Sequence, residues 1–214
     1  MIAKQGHFIV VEGLEGAGKS TALLTIKRFL KEFVPELIVT REPGGTRIGE
    51  VVRTLVKEVL PSEVLDPRAE LLLFYAARVQ LLQEVIRPAL ARGAWVLADR
   101  FELSTFAYQG GGRGLDSGML EHLSAFCLGD FKPDLLLFLD ITPERGLQRA
   151  RRRGKVDRIE QESLAFFTKV AQAYQQKLKT MEHAVIIDSN QSLPVVQEEI
   201  CHALKNYLAQ YVSG

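Results

Sequence analysis

The chain has 214 residues, 47% apolar and 25% charged, with a formal net charge of +1. This is the composition of a globular protein, and the length suits one compact domain spanning 1–214 with a substantial core. Near-neutral charge gives no bulk electrostatic case for nucleic acid or an anionic membrane, so any anion site has to be built locally.

The run His7–Val11 reads as a buried strand, and a helix-compatible stretch follows at Thr21–Phe33. Between them lies Gly13-Leu14-Glu15-Gly16-Ala17-Gly18-Lys19-Ser20, a complete G-x-x-x-x-G-K-[ST] phosphate-binding loop in its required context. Gly13, Gly16 and Gly18 let the backbone curl so that successive N–H groups face phosphate oxygens. A helix starting near Lys19 adds its positive end. Lys19 is expected at the β/γ-phosphates and the Ser20 hydroxyl on Mg²⁺, so residues 13–20 with Thr21 form the candidate ATP site.

Further short apolar runs follow at Leu37–Thr40, Trp95–Ala98, Leu135–Leu139 and Ala184–Ile187. Helical periodicity lies between them, notably at about 47–60, 67–91 and 115–128. Strands alternating with helices predict a three-layer α/β fold, its five-stranded parallel sheet covered on both faces. Each strand ends in polar or charged residues, at the sheet edge where such folds bind ligands.

After the second strand comes Thr40-Arg41-Glu42-Pro43-Gly44-Gly45-Thr46. Arg41 would point into the crevice beside the phosphate loop, unless this is only a turn carrying a surface arginine. Asp99-Arg100 ends the third strand, an acid suited to hydrated Mg²⁺ and a guanidinium fork suited to a second phosphate. Phe74 and Arg78 share a helix face and could stack and hydrogen-bond a base, or be a core ring and a surface charge. Thr105, Tyr108 and Gln109 lead into Gly110-Gly111-Gly112, which serves either mobility or close approach. Arg145, Arg149, Arg151, Arg152 and Arg153 read alone as a solvated face. Behind a phosphate loop they suggest a lid at about 149–160 that closes over transferring phosphates. Cys127 and Cys201 have no CxxC spacing and read as reduced thiols of a cytoplasmic protein. Lys4, Gln5 and His7 interrupt the N-terminus, so no secretory segment is expected, and no apolar run is long enough to span a bilayer.

Taken together, EGLEGAGKS at 12–20, TREPGGT at 40–46, LLLFYAARVQL at 71–81, ADR at 98–100, LSTFAYQGGGRG at 103–114 and RARRRGKVDRIEQES at 149–163 resemble the bacterial thymidylate kinases, P-loop nucleoside monophosphate kinases. The resemblance covers nearly the whole chain. It implies transfer of a phosphoryl group from MgATP to dTMP, giving dTDP and ADP, by a cytoplasmic homodimer. It also implies site roles: Glu15 on the sugar 3′-hydroxyl, Phe74 stacked on thymine, Arg78 on an exocyclic oxygen and Thr105 near N3. Tyr108 would crowd the ribose 2′ position and Gln109 would line the same pocket. Arg100 and Arg41 would hold the acceptor phosphate. Some members carry a basic residue directly after the loop acid. Here that position is Gly16, which implies a lid arginine as catalytic group, Arg153 first and Arg149 second, acting with Lys19 and Arg100.

Overall fold

The computed structural model describes residues 6–59, 63–152, 154 and 157–212. Five strands form one sheet: β1 (Phe8–Gly13), β2 (Leu37–Arg41), β3 (Trp95–Asp99), β4 (Leu135–Asp140) and β5 (Ala184–Asp188). Their order is β2-β3-β1-β4-β5 and every pairing is parallel. The expected α/β architecture is therefore present, each strand within two residues of its expected limits.

The apolar runs are continuous because both faces of the sheet are covered. Along β1 and β3, Ile9, Val11, Trp95 and Leu97 face one cluster, while Phe8, Val10, Val96 and Ala98 face the other. The first cluster is closed by α1 (Lys19–Leu30), α8 (Leu164–Leu178) and α9 (Leu193–Val212). The second is closed by α3 (Pro67–Leu81), a π-helical turn at Leu82–Ile86 and α4 (Arg87–Ala91). That turn divides the long periodic run at 67–91. The Arg87 N–H reaches back to the Leu82 carbonyl, and Pro88 follows with no N–H to give. A ring that crowds the carbonyl four residues earlier is relieved by widening the helix.

The remaining helices pack around these layers. Helix α2 (Arg47–Lys57) starts at a Thr46 cap accepting from Gly49 N–H at 3.0 Å. Short α5 (Glu102–Thr105) runs into a second π-helical segment at Phe106–Gly112. Helix α6 (Ser117–Leu128) and α7 (Pro143–Arg151) complete the set. The glycine run is not a mobile loop. A Cβ at Gly111 would lie 2.5 Å from Ala173 Cβ, and one at Gly112 would lie 2.5 Å from the Phe166 ring, so bare backbone packs on α8. Both cysteines are free thiols. Among the described residues, no helix is long and apolar enough to cross a membrane.

Candidate active site

Topology selects the place. β1 lies mid-sheet between β3 and β4, so the chain leaves it where the order of connections reverses, and that is where open α/β sheets bind ligands. The loop at 13–18 follows β1, with Leu14 and Ala17 buried as its inner anchors. Gly16 has φ +73°, and a Cβ there would fall 2.1 Å from the Gly146 carbonyl oxygen. Position 16 is therefore closed to any side chain by α7 itself. Helix α1 begins after Gly18 with no side-chain cap and no acidic residue in its first turn. Its positive end thus faces the loop without a protein carboxylate in competition.

Lys19 Nζ donates to the Gly13 and Leu14 carbonyls at 3.0 and 2.8 Å. Burial, reinforced by the Arg100 charge, lowers its pKa to about 8 against the pull of Glu15, Asp99 and Glu12. Ser20 is exposed and Thr21 half-buried on the same turn. Asp99 ends β3 beside Val11, and its Oδ1 is buried without a hydrogen-bond partner. A lone buried carboxylate oxygen next to an exposed hydroxyl-bearing turn fits a hydrated Mg²⁺. No group of three or more His, Cys, Asp or Glu among the described residues could hold a metal unaided. An ion here would be held largely by nucleotide phosphates and water, as Mg²⁺ commonly is.

Arg100 adopts φ +71°, an uncommon conformation for a residue with a long side chain. Its N–H continues the sheet to the Val11 carbonyl at 2.9 Å, and the turn sends the guanidinium back over the loop. Nη2 donates to Glu15 Oε1 at 2.7 Å and lies 3.3 Å from the Tyr108 hydroxyl, which itself donates to Glu15. Glu15, Arg100 and Tyr108 so close one wall of a narrow cavity of about 90 Å³.

The opposite wall comes from α3. Phe74 and Arg78 both line the cavity, with Thr105 and Gln109 beside them. Arg78 is 1% exposed, so it is no surface charge. Its Nε donates to Glu42 Oε2 at 2.7 Å, and Nη2 donates to Thr105 Oγ1 at 2.8 Å and the Phe101 carbonyl at 3.3 Å. Nη1 and Glu42 Oε1 have no partner although both are buried. An unused buried donor on a cavity wall is what a ligand acceptor would satisfy. Gln109 donates to buried Glu70 at 2.7 Å.

One expectation changes. Arg41 does not enter the crevice. Its half-exposed side chain pairs with Glu50 Oε2 at 2.9 Å on the surface. The pleat of edge strand β2 turns Thr40 inward and Arg41 outward, and the next inward residue is Glu42. The cations that line the crevice from this side are Arg53 and Lys57 of α2, and Arg53 donates to the Pro43 carbonyl at 3.0 Å. A signal existed in the sequence: Arg53 lies between Gly49 and Val56 on the buried stripe of that helix.

Within the proposed lid, Arg153 lies outside the described residues. Arg151 and Arg152 are exposed at the end of α7. Arg149 is half-buried, donates to the Ser189 carbonyl at 3.1 Å, and its Cβ sits against Gly16. Farther along the lid, Asp157 lines the crevice and pairs with Lys57 at 2.6 Å, while Arg158 pairs with Glu70 and donates to the Val56 carbonyl at 2.9 Å. Sequence reasoning counted Glu12 among the charged strand ends but missed its burial and its partners Ser104 and Tyr174.

The comparisons agree with this geometry. The family model described as thymidylate kinase matches residues 11–200. A thymidylate kinase of Legionella pneumophila (strain Corby) is 52% identical over 208 residues, covering 97% of this chain and 98% of the relative. One of Legionella pneumophila (strain Paris) has the same identity and coverage. With a phosphate loop, a strand-end Asp-Arg and an arginine-bearing helix in place, and relatives matched over almost their full length, the chain is an enzyme that belongs to the thymidylate kinase family.

Proposed function

We propose that this enzyme transfers the γ-phosphoryl group of MgATP to the 5′-phosphate of dTMP. The observation that carries the reading is the Arg100–Glu15 contact, which joins a strand-end guanidinium to the acid of the phosphate loop. Any acceptor held there lies beside the donor phosphates.

The loop amides and Lys19 bind the ATP phosphates, Lys19 exchanging two carbonyl contacts for anionic oxygens. Ser20 and Asp99 are the residues that would hold Mg²⁺, which when bound neutralises charge on the phosphates. Arg100 and Arg53 take the acceptor phosphate, while Glu15 accepts from the sugar 3′-hydroxyl. Tyr108 fills the space a 2′-hydroxyl would need. Phe74 stacks on thymine, the unused Nη1 of Arg78 donates to an exocyclic oxygen, and Thr105 and Gln109 complete the pocket edge. The cavity is far below the ~300–1,000 Å³ of typical ligand pockets, so acceptor binding parts the Arg100, Glu15 and Tyr108 contacts. The attacking oxygen is already an anion, and the reaction needs alignment and charge neutralisation more than a general base. Arg149 or Arg153, from α7 and the lid, supplies the remaining positive charge.

A homodimer accompanies this reading. Ile48, Val51 and Leu55 on α2, and Leu72 on α3, present apolar surface to solvent at 46–57% exposure, enough for a second copy to cover. Sedimentation analysis tests it.

The activity is tested by ADP formation from MgATP with dTMP, dUMP, dCMP, dGMP, AMP and thymidine in turn. Turnover largely confined to dTMP, with weaker dUMP, is expected. Turnover of thymidine without dTMP, or silence across the panel, overturns the assignment.

A further inference from the structure

Tyr174 is a fully buried residue of α8 whose hydroxyl meets the most charged part of the site. It donates to Glu12 Oε2 at 3.0 Å, accepts from Arg100 Nη1 at 3.1 Å and lies 2.9 Å from Ser104 Oγ. Glu12, 0% exposed, also accepts from Ser104 Oγ at 2.6 Å and from the N–H groups of Phe101 and Ser104 at 2.9 and 3.2 Å. Arg100 Nη1 is 4.0 Å from Glu12 Oε2, too long for a hydrogen bond. The acid and the guanidinium are therefore connected through two hydroxyls, those of Tyr174 and Ser104, and each supplies one acceptor to Nη1.

We propose that Tyr174 is a positioning residue, whose hydroxyl anchors the Nη1 end of Arg100 so that the Nη2 end is presented to the acceptor's phosphate. This rests on the reading above that Arg100 holds that phosphate. A guanidinium recognises an anion through a planar fork, so the orientation of its plane decides whether contact is made. At φ +71° the Arg100 backbone leaves the sheet in a sharp turn, and the plane is set by the contacts of the guanidinium, its hydrogen bonds and the Tyr108 ring 5.1 Å from Cζ. Fixing one end beforehand lowers the entropy lost when phosphate binds. Packing alone would not call for the hydroxyl: the ring rests against Phe138 at 4.9 Å, a contact phenylalanine would make equally well. Burial raises the Tyr174 phenol well above its ordinary pKa, so it remains a donor to Glu12.

The test is Tyr174→Phe in the full chain, with dTMP and thymidine binding measured by calorimetry beside the melting temperature. Wild type must first bind dTMP; if it does not, the acceptor reading itself falls, and the positioning role with it. Given binding, the variant should lose about tenfold in dTMP affinity, the order expected for one hydrogen bond to a charged group, with thymidine affinity unchanged. The KM for ATP should also stay where it was. A hydroxyl with a merely structural role would lower the melting temperature and weaken both ligands alike, or leave both unchanged, and either result overturns the proposal. Should Tyr174→Phe fail to fold, Ser104→Ala removes the companion hydroxyl, and a loss not confined to the phosphate-bearing ligand refutes the anchor equally.

Discussion

Replacing Arg78 by methionine keeps most of the side-chain volume and removes the charge, which makes it the sharpest probe of the acceptor wall. Arg78 and Glu42 are 1% and 4% exposed, so water replaces neither partner's loss. Burial pushes the Glu42 carboxyl up to about 7, even with the Arg78 charge and hydrogen bond pulling it down. In Arg78→Met that pull is gone, so the folded-state pKa of Glu42 rises further. Below about pH 7 the carboxyl is protonated in both proteins, and the variant lacks only hydrogen bonds, those to Thr105, the Phe101 carbonyl and the neutral Glu42 carboxyl. Above it, folded variant keeps a proton that wild type has released, so the variant's stability falls relative to wild type as pH rises. Breaking a buried pair costs about 3–5 kcal/mol, which for a chain of this size lowers Tm by roughly 6–20 °C at pH 8.5. Urea denaturation at pH 6 and pH 8.5 reads the difference. Adding Glu42→Gln to Arg78→Met should recover part of the loss at pH 8.5 and flatten the pH dependence. An equal deficit at both pH values, or no recovery in the double variant, would refute the reasoning.

Lys19 gives a second pH signature. Phosphates arriving beside it restore a higher pKa from about 8, so ATP binding takes up a proton above that pH. The affinity for ATP should fall by up to about tenfold per pH unit above pH 8. Calorimetry in buffers of different ionisation enthalpy should register the uptake, and a flat Kd to pH 9.5 contradicts it. At Gly16, alanine would place its Cβ 2.1 Å from the Gly146 carbonyl oxygen, forcing the loop and α7 apart. A displacement near 1 Å costs about a hundredfold in rate, so Gly16→Ala should lower kcat/KM for ATP by that order. Near-wild-type turnover would show that loop and helix separate freely.

Charges at strand ends were legible where their role is local. The phosphate loop announces itself because the glycines, the lysine and the helix start are contiguous, and a turn that folds by its own backbone geometry leaves its pattern in the chain. The three central strands were legible too, since burial on both faces demands uninterrupted apolar runs such as Phe8–Val11 and Leu135–Leu139. The pairing of Phe74 with Arg78 was visible as a helical spacing, but whether Arg78 met water or Glu42 was not.

The sequence by itself determined the α/β class, the phosphate loop and, through its resemblance, the family. Tertiary structure decided which cations enter the crevice, where helical spacing gave only a hint for Arg53. Arg41 and Arg53 are equally basic on paper, and the outcome turns on the pleat of an edge strand and the buried stripe of α2. It alone decided that the glycine run is a packing surface for α8, because the neighbour that needs bare backbone is more than fifty residues away. It alone brought Glu12, Ser104 and Tyr174 around Arg100, since those residues come from a strand end, a short helix and α8. Sequence periodicity records which face of an element is buried. It carries no term for what that face meets, and the chemistry of this site is set by those meetings.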